Sequence, residues 1–231
     1  MVDVILPAWV TDEETLELTV RSVHSIRSAE CNLIIIDNGS TLGGGKLREL
    51  ADVYVRNKTN LGYAKAVNQG LKLAGPVAAI SNNDIVVSPN WWEVSEEILV
   101  DPNVGTIHFR MIGYFDDFNH GEDYWKEGRE RWCSGSFFVT RNKWLFDENF
   151  LNSYDDWSYQ MCIRDEGYST TYTNKAQYKH LDSHTQKKIP EREERNQRNR
   201  EYFRSKHGEY AEDIFARQFP EQLLMPYKPM P

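Results

Sequence analysis

The first half of the chain alternates short apolar runs with amphipathic stretches. Residues 2–7 (VDVILP) are apolar and end in proline, which predicts a buried strand. Residues 12–26 then place Leu16, Val20 and Val23 on one helical face, with Thr11 or Asp12 as N-cap. Residues 32–36 (NLIII) form a continuous Ile-rich run, the pattern of a parallel strand covered on both faces. A short helix over 46–51, a strand over 53–56 and a helix over 63–74 follow; Gly75-Pro76 stops the last of these. Residues 77–80 read as a buried strand, 89–100 as a helix and 106–110 as a strand.

The second half is less regular. Residues 113–131 are polar and aromatic and read as a loop. A strand over 137–140, a helix over 156–166 ending before Gly167, and a strand over 170–173 come next. Residues 191–207 form a charged helix, and the proline-rich last twelve residues wander over the surface. Strands alternating with helices imply an α/β fold with a mostly parallel, Rossmann-like sheet and right-handed crossovers. Ligands of such sheets sit outside the carboxyl ends of the strands. Two strands end in polar groups there, at residues 37–40 (DNGS) and 82–84 (NND).

Composition narrows the chemistry. The 231 residues carry a net charge of −8, which argues against nucleic acid and anionic lipid as default partners. Cys31, Cys133 and Cys162 are too few and too scattered for a disulfide scaffold and fit a reducing compartment. The apolar N-terminus lacks the basic flank and cleavage site of a signal peptide. No window approaches the roughly 18 apolar residues of a membrane span. The expected location is cytoplasmic, with room for peripheral membrane contact through the 113–131 loop or the tail.

Four segments in order resemble the inverting family 2 glycosyltransferases. They are VILPAW, the strand ending in Asp37-Asn38-Gly39-Ser40, the stretch NLGYAKAVNQG over 60–70, and Asn82-Asn83-Asp84. Further on, Phe146-Asp147-Glu148-Asn149-Phe150, Asp155-Asp156-Trp157 and Gly167-Tyr168 are similar to the family's later motifs. The resemblance covers roughly residues 2–184 and implies a GT-A domain over 1–185. Within it, 1–110 is the nucleotide-sugar half and 111–185 the acceptor half; 186–231 adds a helix and tail.

The resemblance implies sugar transfer from a UDP- or dTDP-sugar to a hydroxyl of a glycan or glycolipid, assisted by Mn²⁺ or Mg²⁺. Asp84 is the expected metal ligand, with His180 as a second. Asn82 stands where the family often has a carboxylate, which weakens the metal site on paper. Asp156 matches the family's general base, with Asp155 beside it to orient it or bind acceptor. A helix N-terminus favours its ionised form. Pro7, Ala8, Trp9, Asp37, Asn38, Gly62, Lys65, Asn68, Asn82 and Asn83 fall on the donor side. For Asn68, holding a loop is the other reading. Trp132, Ser134 and Gly135 fall on the acceptor side.

Two other readings stay open. Residues 187–206 hold eight Lys or Arg against four Glu, which allows a phosphate-bearing acceptor such as nucleic acid. A silent nucleotide-sugar-binding module is the other, invited by Asn82. A nucleotidyltransferase fits less well, because LPAWV lacks a glycine-rich basic loop.

Overall fold

The computed structural model describes residues 1–112, 134–181 and 191–218. One eight-stranded sheet organises them. In chain order the elements are β1 (Val2–Ala8), α1 (Glu13–Ile26), β2 (Cys31–Asp37), α2 (Gly44–Leu50), β3 (Val53–Arg56), α3 (Tyr63–Leu71) and β4 (Val77–Ser81). Then come β5 (Ile85–Val87), α4 (Trp91–Leu99), β6 (Val104–Ile112), β7 (Phe137–Arg141), α5 (Asp155–Asp165) and β8 (Ser169–His180). Two further helices close the described chain, α6 (Arg192–His207) and α7 (Ala211–Gln218).

The strand order is β3-β2-β1-β4-β7-β6-β8-β5. The half from β3 to β4 is parallel. There the buried runs of β1 and β2 send alternate residues to opposite faces: Val4, Leu6, Leu33 and Ile35 to one core, Ile5, Ile34 and Ile36 to the other. Residues of α1, α2 and α4 cover the first face, and residues of α3 and α5 the second. β7 runs antiparallel between β4 and β6, so the sheet is mixed beyond the parallel half.

Helix α1 differs from its expected face. Asp12 caps it, accepting from the Thr15 N–H at 2.9 Å, which contributes about 1 kcal/mol. Its buried stripe is Thr15, Thr19, Ser22, Val23 and Ile26, not the Leu16–Val20–Val23 face. The buried hydroxyls are satisfied: Thr15 donates to Asp12, Thr19 to the Thr15 carbonyl and Ser22 to the Asn82 carbonyl. Small hydroxyl side chains let this helix hold the turn after β4.

β8 is longer than expected, twelve residues instead of four. Its far half, with Ala176 and Tyr178 inward and Lys175, Gln177 and Lys179 outward, pairs antiparallel with β5, a strand the sequence reading missed. His180 therefore ends a strand instead of lying in a loop. The C-terminal helices pack on the domain through a separate cluster of Phe150, Phe203, Ala211 and Ile214. Among the described residues, no helix is long and apolar enough to cross a membrane.

Candidate active site

The carboxyl ends of β1, β2 and β4 meet at one edge. Asn38, just past β2, ties that edge to the next turn. Its Oδ1 accepts from the Leu61 N–H at 3.0 Å, and its Nδ2 donates to Asn60 Oδ1 and to the Gly62 carbonyl. Gly62 has φ 90° and ψ 163°, a region open essentially to glycine alone, and it launches α3. Lys65 projects to solvent from the first turn of that helix.

Several donor-side expectations land in holding roles. Pro7 and Ala8 lie within β1 beside Ile36 and Asp37, and both are buried; Trp9 just beyond is half-buried. Asp37 is fully buried. Its oxygens accept from the Ser40 N–H at 2.8 Å, from Tyr54 at 2.5 Å and from Arg56 at 2.6 Å. The exposed member of this group is Arg56, which the sequence reading missed. Asn68 is turned inward: its Oδ1 accepts from the Phe146 N–H and its Nδ2 donates to the Phe146 carbonyl and to Glu148. Asn83 donates to Thr19, buried against α1. Both ends of the Asn68 amide are thus bonded within the chain, while Asn83 is tied to α1 through its Nδ2. Asn82 is half-buried, with its N–H donating to the Ser136 carbonyl at 2.8 Å.

Asp84 and His180 are 96 residues apart and meet through the β5–β8 pairing, with Oδ1 and Nε2 3.0 Å apart. Cis ligands of an octahedral ion with bonds of about 2.1 Å are separated by about 3.0 Å, so this pair fits one edge of a divalent cation's shell. Among the described residues no cluster of three or more His, Cys, Asp or Glu could hold a metal. A cation here would depend on phosphate oxygens and water for its remaining ligands.

Asp155 and Asp156 open α5. Asp156 Oδ2 accepts from the Gly135 N–H and Oδ1 from the Trp157 N–H, both at 2.9 Å. Asp155 Oδ1 accepts from the Asp156 N–H, while its Oδ2 is buried with no hydrogen-bond partner among the described residues. Burial raises both acids above the ordinary carboxylate range, and for Asp155 the Asp156 charge adds to it. The donors converge on Asp156, so the pair's charge belongs there and its proton on Asp155.

Tyr63 joins these parts. Its hydroxyl donates to the Gly135 carbonyl at 3.1 Å. Burial, then the charges of Asp155, Asp156 and Asp84, push its pKa well above the usual tyrosine value. Asp84 and Asp156 are joined through the segment 135–136: the Gly135 N–H donates to Asp156, and the Ser136 carbonyl accepts from the Asn82 N–H, two residues before Asp84. In sequence the stretch around Tyr63 reads as a helix and as part of the NLGYAKAVNQG motif, with no role for Tyr63 itself. Gly135 packs so closely that an added Cβ would lie 2.7 Å from Asp156 Cβ. Gly135→Ala is expected to displace Asp156 and lower kcat by about 10-fold or more. Overpacking of this kind costs roughly 1–3 kcal/mol, so steady-state rates and a melting curve check both effects. Ser134 Oγ lies 2.7 Å from Ser136 Oγ, on the same segment as Gly135. Trp132 lies outside the described residues.

Residues 3–165, more than half of the chain, match the family model described as Glycosyl transferase family 2. None of the curated proteins compared with the chain matches it. Three solved structures are similar in fold. The mannosyltransferase PcManGT from Pyrobaculum calidifontis, in complex with GDP-Man and Mn²⁺, aligns with a TM-score of 0.63 at 18% identity, over 78% of this chain and 56% of that one. S. aureus TarS 1-349 aligns with a TM-score of 0.63 at 14% identity, over 78% and 60%. GalNAc-T7 with UDP, GalNAc and Mn²⁺ aligns with a TM-score of 0.62 at 17% identity, over 78% and 43%. The chain thus spans less than two-thirds of each of these proteins. At such identities the likeness carries the fold alone, a GT-A fold, while the family match carries the membership: the chain belongs to glycosyl transferase family 2.

Proposed function

We propose that this chain transfers a sugar, with inversion, from a UDP- or dTDP-sugar to a hydroxyl of a glycan or glycolipid, in a cation-dependent reaction. The observation that carries the reading is one short segment that touches both parts: the Gly135 N–H donates to Asp156, and the Ser136 carbonyl accepts from the N–H of Asn82, two residues before Asp84, which lies against His180. Asp84 and His180 would hold the cation, which supplies positive charge to the departing diphosphate. Asp156 accepts the proton of the attacking acceptor hydroxyl. Two backbone N–H groups fix its carboxylate, so little reorganisation accompanies attack. Gly62 leaves backbone open to the donor, and Arg56, held by Asp37, is the exposed polar group at the end of β3. PcManGT, TarS and GalNAc-T7 have been crystallised with GDP-Man, UDP, UDP-GlcNAc or GalNAc, two of the three with Mn²⁺. That supports a nucleotide sugar and a divalent cation here. On α6, Arg200 pairs with Glu212 and Lys206 with Asp147.

The test is a thermal-shift series with UDP, dTDP and GDP and their sugars, with and without Mn²⁺. Binding to the folded state must raise the melting temperature, by about 2.7 kcal/mol of stabilisation at 100 times Kd. A uridine or thymidine diphosphate is expected to do so only with the cation. No shift with any nucleotide would remove the proposal, and a product that keeps the donor's anomeric configuration would remove inversion.

A further inference from the structure

The four residues entering α5 are held in an uncommon shape. Asn152 has φ 56° and Tyr154 has φ 65°, both left-handed and neither glycine. Asparagine visits this region more readily than other L-residues, but a bulky residue such as Tyr154 holds it only when its surroundings impose it. The restraint comes from α6, beyond the residues that match the family model. Asn199 is wholly buried there. Its Oδ1 accepts from the Leu151 N–H at 3.2 Å. Its Nδ2 donates to the Leu151 carbonyl at 3.0 Å, the Ser153 carbonyl at 3.1 Å and Ser153 Oγ at 2.7 Å. Phe203, one turn later, is fully buried against Phe150 and Tyr154.

The held loop reaches both halves of the site. Asn152 Oδ1 accepts from the Tyr63 N–H at 2.7 Å, at the first residue of α3 and next to Gly62. Tyr63 donates to the Gly135 carbonyl, and the Gly135 N–H donates to Asp156. Two residues past Tyr154 the chain arrives at Asp156 itself. These contacts form a closed circuit from Asn152 through Tyr63, Gly135 and Asp156 back along the backbone to the loop, and Asn199 clamps it from outside.

We infer that Asn199 is a positioning residue for the transfer reaction: the C-terminal helix, through Asn199 and Asn152, sets the catalytic carboxylate against the donor-side turn. This rests on the reading of Asp156 as the base. A loop restrained at both ends keeps two halves of a site in register, and misplacement of a reacting group by about 1 Å costs about 100-fold in rate. Truncating Asn199 removes four hydrogen bonds, so that variant alone could fail by unfolding. Asn152→Gly separates the effects, because glycine accepts φ 56° without strain while the bond to Tyr63 is lost.

The experiment compares wild type, Asn199→Ala, Asn152→Gly and Asp156→Asn by circular dichroism, kcat and KM for donor and acceptor, and the pH dependence of kcat. Asn152→Gly is expected to fold as wild type, lose about 10- to 100-fold in kcat with a smaller change in donor KM, and move the acid limb of its pH profile. Asn199→Ala, where folded at the assay temperature, is expected to do the same. Wild-type kcat and pH profile in folded Asn152→Gly, with Asp156→Asn inactive, would overturn the positioning role and leave the base intact. Full activity in Asp156→Asn would overturn both.

Discussion

Asp156→Asn is expected to reduce kcat by about 100- to 10,000-fold while the donor still binds. The amide has the carboxylate's shape but no capacity to take the acceptor's proton. It keeps one acceptor oxygen for the two N–H groups of Gly135 and Trp157, so one of these bonds is lost. Removing a charge beside buried Asp155 offsets part of that cost. Single-turnover rates with thermal shifts for the donor separate chemistry from binding; transfer at the wild-type rate would remove Asp156 as base. The pH profile gives a second reading. A base must be ionised to act, and burial raises the Asp156 pKa. Wild-type activity is therefore lost as pH falls through a value above the ordinary carboxylate range. Asp155→Asn copies the protonated acid, so its acid limb is expected to stay where the wild-type limb lies. A limb displaced to lower pH would place the pair's proton on Asp156 instead.

Asp84→Asn is expected to weaken cation-dependent donor binding by about 100-fold, equivalent to about 2.7 kcal/mol. Asp84 supplies the only formal negative charge of the Asp84–His180 pair, and it sits almost buried at the start of β5. The amide can still face His180, so the fold is expected to hold. His180→Gln is expected to cost less, because a neutral ligand is removed and the carboxylate remains. Titrating Mn²⁺ against melting temperature with UDP present reads both variants. An Mn²⁺ response in Asp84→Asn equal to wild type would remove this cation site. Asn82 bears on the same experiment: its backbone N–H donates to the Ser136 carbonyl, which fixes the turn that presents Asp84.

Local pattern carried most of the first half. Continuous apolar runs at β1, β2 and β4 announce strands buried on both faces, because a strand with two covered sides has no polar side to show. The Asp155-Asp156 pair at a helix start and the turns after β2 and β4 were equally visible, since each is a contiguous stretch whose residue types serve one geometry. Charge and the lack of a long apolar window were also legible, being sums over the chain.

Tertiary structure alone decided what depends on partners distant in sequence. β8 reads as four residues because its far half alternates small, aromatic and charged residues, and only pairing with β5 makes it a strand carrying His180 to Asp84. The inward face of α1 is hydroxyl-rich because Asn82 and Asn83 lie opposite, which no helical periodicity encodes. Asn68 and Asn83 carry the residue type of ligand contacts, and each also bonds to a segment far along the chain. The roles of Tyr63, Arg56 and Asn199 were hidden for the same reason. A side chain's role here is set by which hydrogen-bonding groups the fold brings within about 3 Å of it, and that information resides in the packing of segments and not in the spacing of residues.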